Sequence, residues 1–113
     1  MVRRVSAARV RSAAPLFAAL GDPTRLGLVA RLSADGPGSI ASLSAHVDVS
    51  RQAVTKHLHV LAEVGLVHDY RDGRERIWEL KPKRLSDVHE FLDRIGAQWD
   101  EALERLRGFV EGD

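Results

Sequence analysis

The stretch SRQAVTKHLHVLAEVGLV, residues 50–67, decides how the rest of the chain is read. Val54, Leu58, Leu61 and Val64 recur at i, i+4, i+7 and i+10, which is one stripe of an amphipathic helix turned toward a core. Ser50 stands just before the stripe, where a hydroxyl accepts from the orphan N–H groups of a first turn. Gly65 stands just after it, where a left-handed residue ends a helix. The pattern predicts a helix over 51–64. Its opposite face carries Arg51, Gln52, Thr55, Lys56 and His59, with no carboxylate before Glu63. A merely solvated helix face mixes both signs of charge. A face of long donors, an amide and a hydroxyl suits an anionic polymer with readable edges.

Working outward, a short helix is expected over 41–47, with Leu43 and Val47 inward, joined to the first by the tight link Asp48–Ser50. SADGPGS, residues 33–39, reads as loop from its Gly, Pro, Asp and Ser content. In GDPTR, residues 21–25, Asp22 is a good N-cap and Pro23 fits a first helical position, so a helix follows to about Leu32 with Leu26, Val29, Ala30 and Leu32 inward. Before it, a helix over 7–20 turns Val10, Ala14, Phe17 and Ala18 to one side, and Gly21 stops it. After Gly65 the period changes. LVHDYR and ERIWELK flank RDGR, and Asp72-Gly73 is a two-residue hairpin signal, so strands are expected over 67–71 and 75–81, ended by Pro82. A long last helix then runs from 85 or 86 to 110. Leu85, Val88, Leu92, Ile95, Trp99, Ala102, Leu106 and Phe109 step along it by three or four residues.

A short helix, a tight turn and a helix with a polar outer face make a helix-turn-helix. A basic hairpin directly after it, with Arg71, Arg74 and Arg76 about its tip, makes a wing. The fold class is therefore mainly α with a small β-hairpin wing: a winged helix-turn-helix of five helices with a long C-terminal dimerisation helix. One domain over 1–113 is expected, with the helix-turn-helix at 41–64 and the wing at 66–81, set between a first helical segment at 1–20 and a last one at 85–110, the two that the family resemblance described below implies are dimerisation helices.

Bulk properties agree. The chain has 113 residues, 44% apolar and 29% charged, which is ordinary for one soluble domain. It has no cysteine, which excludes disulfides, thiolate nucleophiles and thiolate metal sites. The start, MVRRVSAARVRSAAPLF, is basic like a signal peptide, but Arg9 and Arg11 interrupt any apolar segment, so a cytoplasmic location is expected. Net charge is only +1, yet residues 1–84 hold 14 Lys and Arg against 8 Asp and Glu, and residues 85–113 hold 3 against 8. A basic body with an acidic tail helix fits nucleic acid at one end and another task at the other.

ALGDPTRLGLVARL (19–32), SIASLSAHVDVSRQAVTKHLHVLAEVGLV (39–67) and RDGRERIWEL (71–80) resemble the ArsR/SmtB family of bacterial winged-helix repressors. The resemblance spans roughly 14–80. It implies a homodimer built on the first and last helices, with the second helix of the turn in the major groove of an operator. The tail, residues 84–111, resembles a cysteine-free subgroup whose members are often encoded beside START-like proteins that bind lipids or other hydrophobes. Residue chemistry supports the DNA reading on its own. Near the start of the helix Gln52 can read adenine, Arg51 can read guanine or clamp a phosphate, and Thr55 can meet a base edge or a thymine methyl. Lys56 and His59 suit phosphates, and Ser50 with the wing arginines completes the DNA-binding set. Ser39 and Ser42 suit capping first and phosphate second. The partners expected are double-stranded DNA and a second copy of the chain, whose interface would use Phe17, Val88, Leu92, Ile95, Trp99 and Leu106.

The resemblance also raises metal sensing. Asp87 and His89 match the first half of the family's last-helix site. The second half falls at Asp100 and Leu103, and a leucine in the fourth place is poor for zinc. No metal and no cofactor are expected. His46, His57 and His68 read as ordinary surface or hairpin residues. A small apolar effector near Phe91 and Trp99 is a further partner to consider, as is regulation with no ligand at all. No nucleophile elbow, phosphate loop or carboxylate dyad points to an enzyme. Two other readings are a protein-interaction module, which should show apolar anchors on residues 51–59, and an RNA binder, which should show an aromatic platform. Neither feature is present.

Overall fold

The computed structural model describes residues 4–111. Five helices and three short strands follow in the order α1 (Ala7–Leu20), α2 (Pro23–Asp35), β1 (Gly38–Ser39), α3 (Ile40–Ser44), α4 (Arg51–Glu63), β2 (Val67–Asp72), β3 (Glu75–Leu80) and α5 (Pro82–Glu111). Each of the first four helices starts at a side-chain cap. Ser6, Asp22, Ser39 and Ser50 accept from the backbone N–H groups of Arg9, Arg25, Ser42 and Ala53 at 3.0–3.1 Å. Pro23 and Pro82 each open a helix at a position whose N–H has no intrahelical partner.

The core is one cluster built around α4. Val54, Leu58 and Leu61 are 0% exposed and pack with Leu28, Val29 and Leu32 of α2, Leu43 of α3, and Leu66, Val67 and Trp78 of the sheet region. From α1 come Leu16 and Ala19, and from α5 comes Val88. The antiparallel sheet has the order β1-β3-β2, with Asp69 opposite Trp78, Arg71 opposite Arg76 and Gly38 opposite Trp78 on the other side.

Several expectations need correction. Residues 38 and 39 are strand rather than loop, because Gly38 and Ser39 add a short third strand to the sheet. No periodicity marks a two-residue strand; only its pairing with β3 does. The buried side of α1 is Ala13, Leu16 and Ala19, one residue round from the predicted face, and Val10 is 48% exposed. In α2, Leu28 replaces Leu26 in the core, and Leu26 is 53% exposed. The third helix stops at Ser44, not at Val47. The hairpin register is shifted by one: Asp72 pairs with Glu75, so the loop residues are Gly73 and Arg74. Of these two loop residues Gly73 alone has positive φ, at 65°. Glycine in the first central place is what this turn geometry requires, and it puts Arg74 in the loop itself. The last helix begins at Pro82, three residues earlier than expected.

Gly65 closes α4 with φ at 79°, and a Cβ there would lie 3.1 Å from Arg84 Cγ. Both conditions act against any side chain. Gly65→Ala should therefore lower stability by about 1–2 kcal/mol from the left-handed backbone alone, with displacement of Arg84 adding to it. An unchanged urea midpoint would show that neither constraint is felt.

Candidate nucleic-acid interface

Burying one face of α4 fixes the direction of the other. Arg51, Gln52, Lys56 and His59 are exposed, and Thr55 is half-buried beside them. Arg51, Gln52 and Lys56 make no side-chain hydrogen bond or ion pair among the described residues, so their donors are available to a ligand. Thr55 differs, because its hydroxyl donates to the Arg51 carbonyl at 2.9 Å. What it offers outward is a lone pair and a methyl group. His59 stands edge-on to Trp78, with ring centroids 5.4 Å apart and planes at 87°, so it ties α4 to the wing while remaining at the surface. Ser50 is the N-cap and accepts from Ala53 N–H. Ser39 caps α3, and the Ser42 hydroxyl donates back to the Ser39 carbonyl at 3.0 Å, so capping is the role seen for this pair.

The wing brings three arginines close together. Arg71 and Arg76 face each other across the ladder, and Arg74 sits in the turn. Arg76 is ion-paired with Asp69, whereas Arg71 and Arg74 have no acidic partner among the described residues. On the other face His68 meets Glu79 at 2.8 Å.

Sequence reasoning missed Arg25 and underrated His57. The Arg25 guanidinium donates through Nε to the Ala19 carbonyl at 2.6 Å and through Nη2 to the Ala18 carbonyl at 3.5 Å, capping the C-terminal end of α1. Its Nη1 lies 3.3 Å from Nδ1 of His57, on the flank of α4. Asp22 Oδ2 lies 3.8 Å from the same nitrogen. One side chain thus joins α1, α2 and α4. The motif GDPTR contains the signal, but only tertiary contact shows where its arginine reaches. The backbone N–H of Arg25 holds the Asp22 carboxyl below the usual carboxylate range, and the Arg25 charge adds to this.

The last helix leaves its apolar stripe uncovered. Val88 is 7% exposed and belongs to the protomer's own core, and Phe17 packs on Phe91 at 5.5 Å between centroids. Beyond them Leu92, Ile95, Trp99 and Leu106 are 44–63% exposed. The candidate metal residues are not gathered within the protomer. Asp87 is engaged by Arg84 at 3.1 Å and His89 by Asp93 at 3.3 Å, Asp100 is exposed, and no group of three or more potential ligands forms among the described residues. Among the described residues, no helix is long and apolar enough to cross a membrane.

A family model described as a helix-turn-helix domain matches residues 20–70. The HTH-type transcriptional regulator Rv2034 of Mycobacterium tuberculosis is 40% identical over 91% of this chain and 92% of its own length. The arsenical resistance operon repressor of Escherichia coli is 37% identical over 84% of this chain and 79% of its own. An ArsR-like transcriptional regulator from Rhodococcus sp. RHA1 superposes with a TM-score of 0.74 at 36% identity, covering 91% of this chain and 96% of that one. The chain belongs to the ArsR family. As an ArsR-family protein it is a DNA-binding transcriptional regulator with a winged helix-turn-helix.

The depressed Asp22 carboxyl gives the fold of this ArsR-family protein a pH signature. A lowered folded-state pKa stabilises fully above the ordinary carboxylate range and is lost as pH falls through the folded value. Asp22→Asn keeps a capping oxygen without the charge. Its urea midpoint should lie furthest below wild type at neutral pH, and the gap should close in acid. A gap that stays constant would show that the charge contributes nothing.

Proposed function

We propose that the protein is a homodimeric repressor of an inverted-repeat operator, with α4 in the major groove and the β2–β3 wing on the flanking backbone. The observation that carries this reading is the two-sided character of α4. One side is sealed in the core, and the other presents Arg51, Gln52, Lys56 and His59 with no carboxylate beside them. Gln52 and Arg51 read base edges near the helix start, Gln52 on adenine and Arg51 on guanine. Thr55, its hydroxyl proton already given to the backbone, serves as an acceptor or as a methyl contact to thymine. Ser50, Lys56 and His59 meet phosphates, joined from the wing by Arg71 and Arg74. Arg76 must first leave Asp69, so its contribution is the smallest of the three. Repression is favoured by the likeness to a protein named as an operon repressor. A cytoplasmic location goes with this reading.

Dimerisation explains the shape. The Cα radius of gyration is 18.6 Å against roughly 13 Å for a compact chain of this length. The excess comes from α5, whose 30 residues extend about 45 Å. Exposed Leu92, Ile95, Trp99 and Leu106 call for an apolar partner, and a second copy supplies the same stripe. A two-fold pair then sets two recognition helices about 34 Å apart, one turn of DNA.

Gln52→Ala should cost about 1–3 kcal/mol of operator binding and relax preference at one base position per half-site. Arg74→Ala should weaken all duplexes alike and reduce the salt slope by about one per protomer. Fluorescence anisotropy on operator and scrambled duplexes separates the two, and unchanged base preference in Gln52→Ala would sink the base-reading assignment. Replacing Leu92 and Trp99 together by glutamate should yield monomers in sedimentation velocity and weaken operator binding roughly thirtyfold or more. A doubly substituted protein that still sediments as a dimer would exclude this face as the interface.

A further inference from the structure

The DNA-facing side of α4 is only as well aimed as its rear is held. The apolar contacts of Val54, Leu58 and Leu61 fix its depth, but they are non-directional and allow some rotation and tilt. A polar contact with direction adds what they lack. Along the flank of α4 that contact is Arg25 to His57. The arginine is itself immobilised, since its Nε and Nη2 are taken by two carbonyls at the end of α1. Its third nitrogen, Nη1, therefore points at the imidazole from a fixed place.

We infer that Arg25 and His57 form a clamp that positions the recognition helix relative to α1, and that the clamp releases when His57 is protonated. The chemistry is one-sided. Arginine is a donor only, so Nδ1 must present a lone pair and the ring proton must sit on Nε2. A proton added at Nδ1 removes the acceptor and sets two cations 3.3 Å apart. Asp22 Oδ2, 3.8 Å away on α2, then attracts the charged ring and draws it off the arginine. Among the described residues, the ionisable groups that meet His57 are Arg25 and Asp22; α1 contributes only its carbonyls, which hold Arg25. Because α1 is one of the two helices assigned to the dimer interface, slack in the clamp moves each recognition helix against the dimer axis. The half-site spacing is then mismatched. Both residues are positioning residues. The inference rests on the reading that α4 enters the groove.

The sign is opposite to that of ordinary histidine effects on DNA binding. Protonating His59, on the front of α4, adds a cation near phosphates and strengthens binding. Protonating His57, on its flank, weakens it. Selecting a preferred duplex from random DNA at alkaline pH, then measuring its affinity across the histidine range, tests this directly. Wild type should bind roughly tenfold more weakly at about pH 5.5 than at about pH 8. His57→Gln keeps a carbonyl acceptor for Arg25 that does not titrate. It should match wild type at the alkaline end and stay within about twofold of that value in acid. His57→Ala, with no acceptor, should bind weakly throughout. Urea midpoints at each pH show whether each variant is folded. An equal acid loss in wild type and His57→Gln overturns the clamp, and so does full alkaline affinity in His57→Ala. Failure to enrich any sequence overturns the DNA reading, and the clamp with it, and is recognised by its appearance in wild type at alkaline pH.

Discussion

Complete burial of one side of α4 is the constraint on which the rest of the structure depends. Val54, Leu58 and Leu61 lose all contact with water, and α2, α3 and the sheet each supply apolar side chains to cover them. A helix held this way cannot turn far about its axis without exposing leucine and burying charge. Transfer of even one ionised side chain into such a core costs far more than a single apolar contact returns. The outward direction of Arg51, Gln52 and Lys56 thus follows from what lies behind them. Sealing sets which side faces out, and the finer aim that reading base edges requires, since a donor pair must meet its base in one geometry, is left to the directional contacts on its flank and at its ends.

The two ends of α4 are fixed by different chemistry. At the start, the Ser50 hydroxyl occupies an orphan N–H. At the end, Gly65 turns the chain, and the Val64 carbonyl accepts from Arg84 Nε at 3.2 Å. Arg84 stands at the base of α5 and also holds Asp87. The recognition helix is therefore linked by hydrogen bonds to both helices assigned to the dimer interface, to α1 through Arg25 and to α5 through Arg84. Both links run through arginine, whose planar fork can serve two carbonyls or a carbonyl and a carboxylate at once.

Elements with a strong period were legible in the sequence. The apolar stripes of α4 and α5, the caps Asp22 and Ser50 and the hairpin signal of the wing all placed their elements to within a few residues. What could not be read came from contacts distant in sequence. Two residues at 38 and 39 become strand because β3 lies beside them. In α1 the alanines dilute the stripe, and Leu16 rather than Val10 reaches the core. The hairpin slips by one residue because the ladder, not the dipeptide Asp72-Gly73, chooses which pair is left over. At the site, the outward residues of α4 were legible because an amphipathic helix declares both of its faces. Arg25 was not, because its side chain acts six residues back on α1 and thirty-two residues ahead on α4.

Charge and shape divide the molecule in the same way. The basic residues gather in the body, where α4 and the wing lie, and the acidic excess belongs to the segment that forms α5. Part of that acidity is locked in pairs along the helix, Glu90 with Arg94, Glu101 with Arg105 and Glu111 with Arg107. Pairs of this kind contribute only a few tenths of a kcal/mol each to the helix. Their larger effect is on orientation. An acidic helix next to DNA is repelled at moderate salt, which in the proposed complex favours a place for the long helix away from the duplex. Its exposed leucine, isoleucine and tryptophan are thereby left for a partner that is not nucleic acid. The charge pattern thus sets a basic body against an acidic helix, and α4, tied by arginine to both α1 and α5, is the element on which the proposed DNA and dimer surfaces meet.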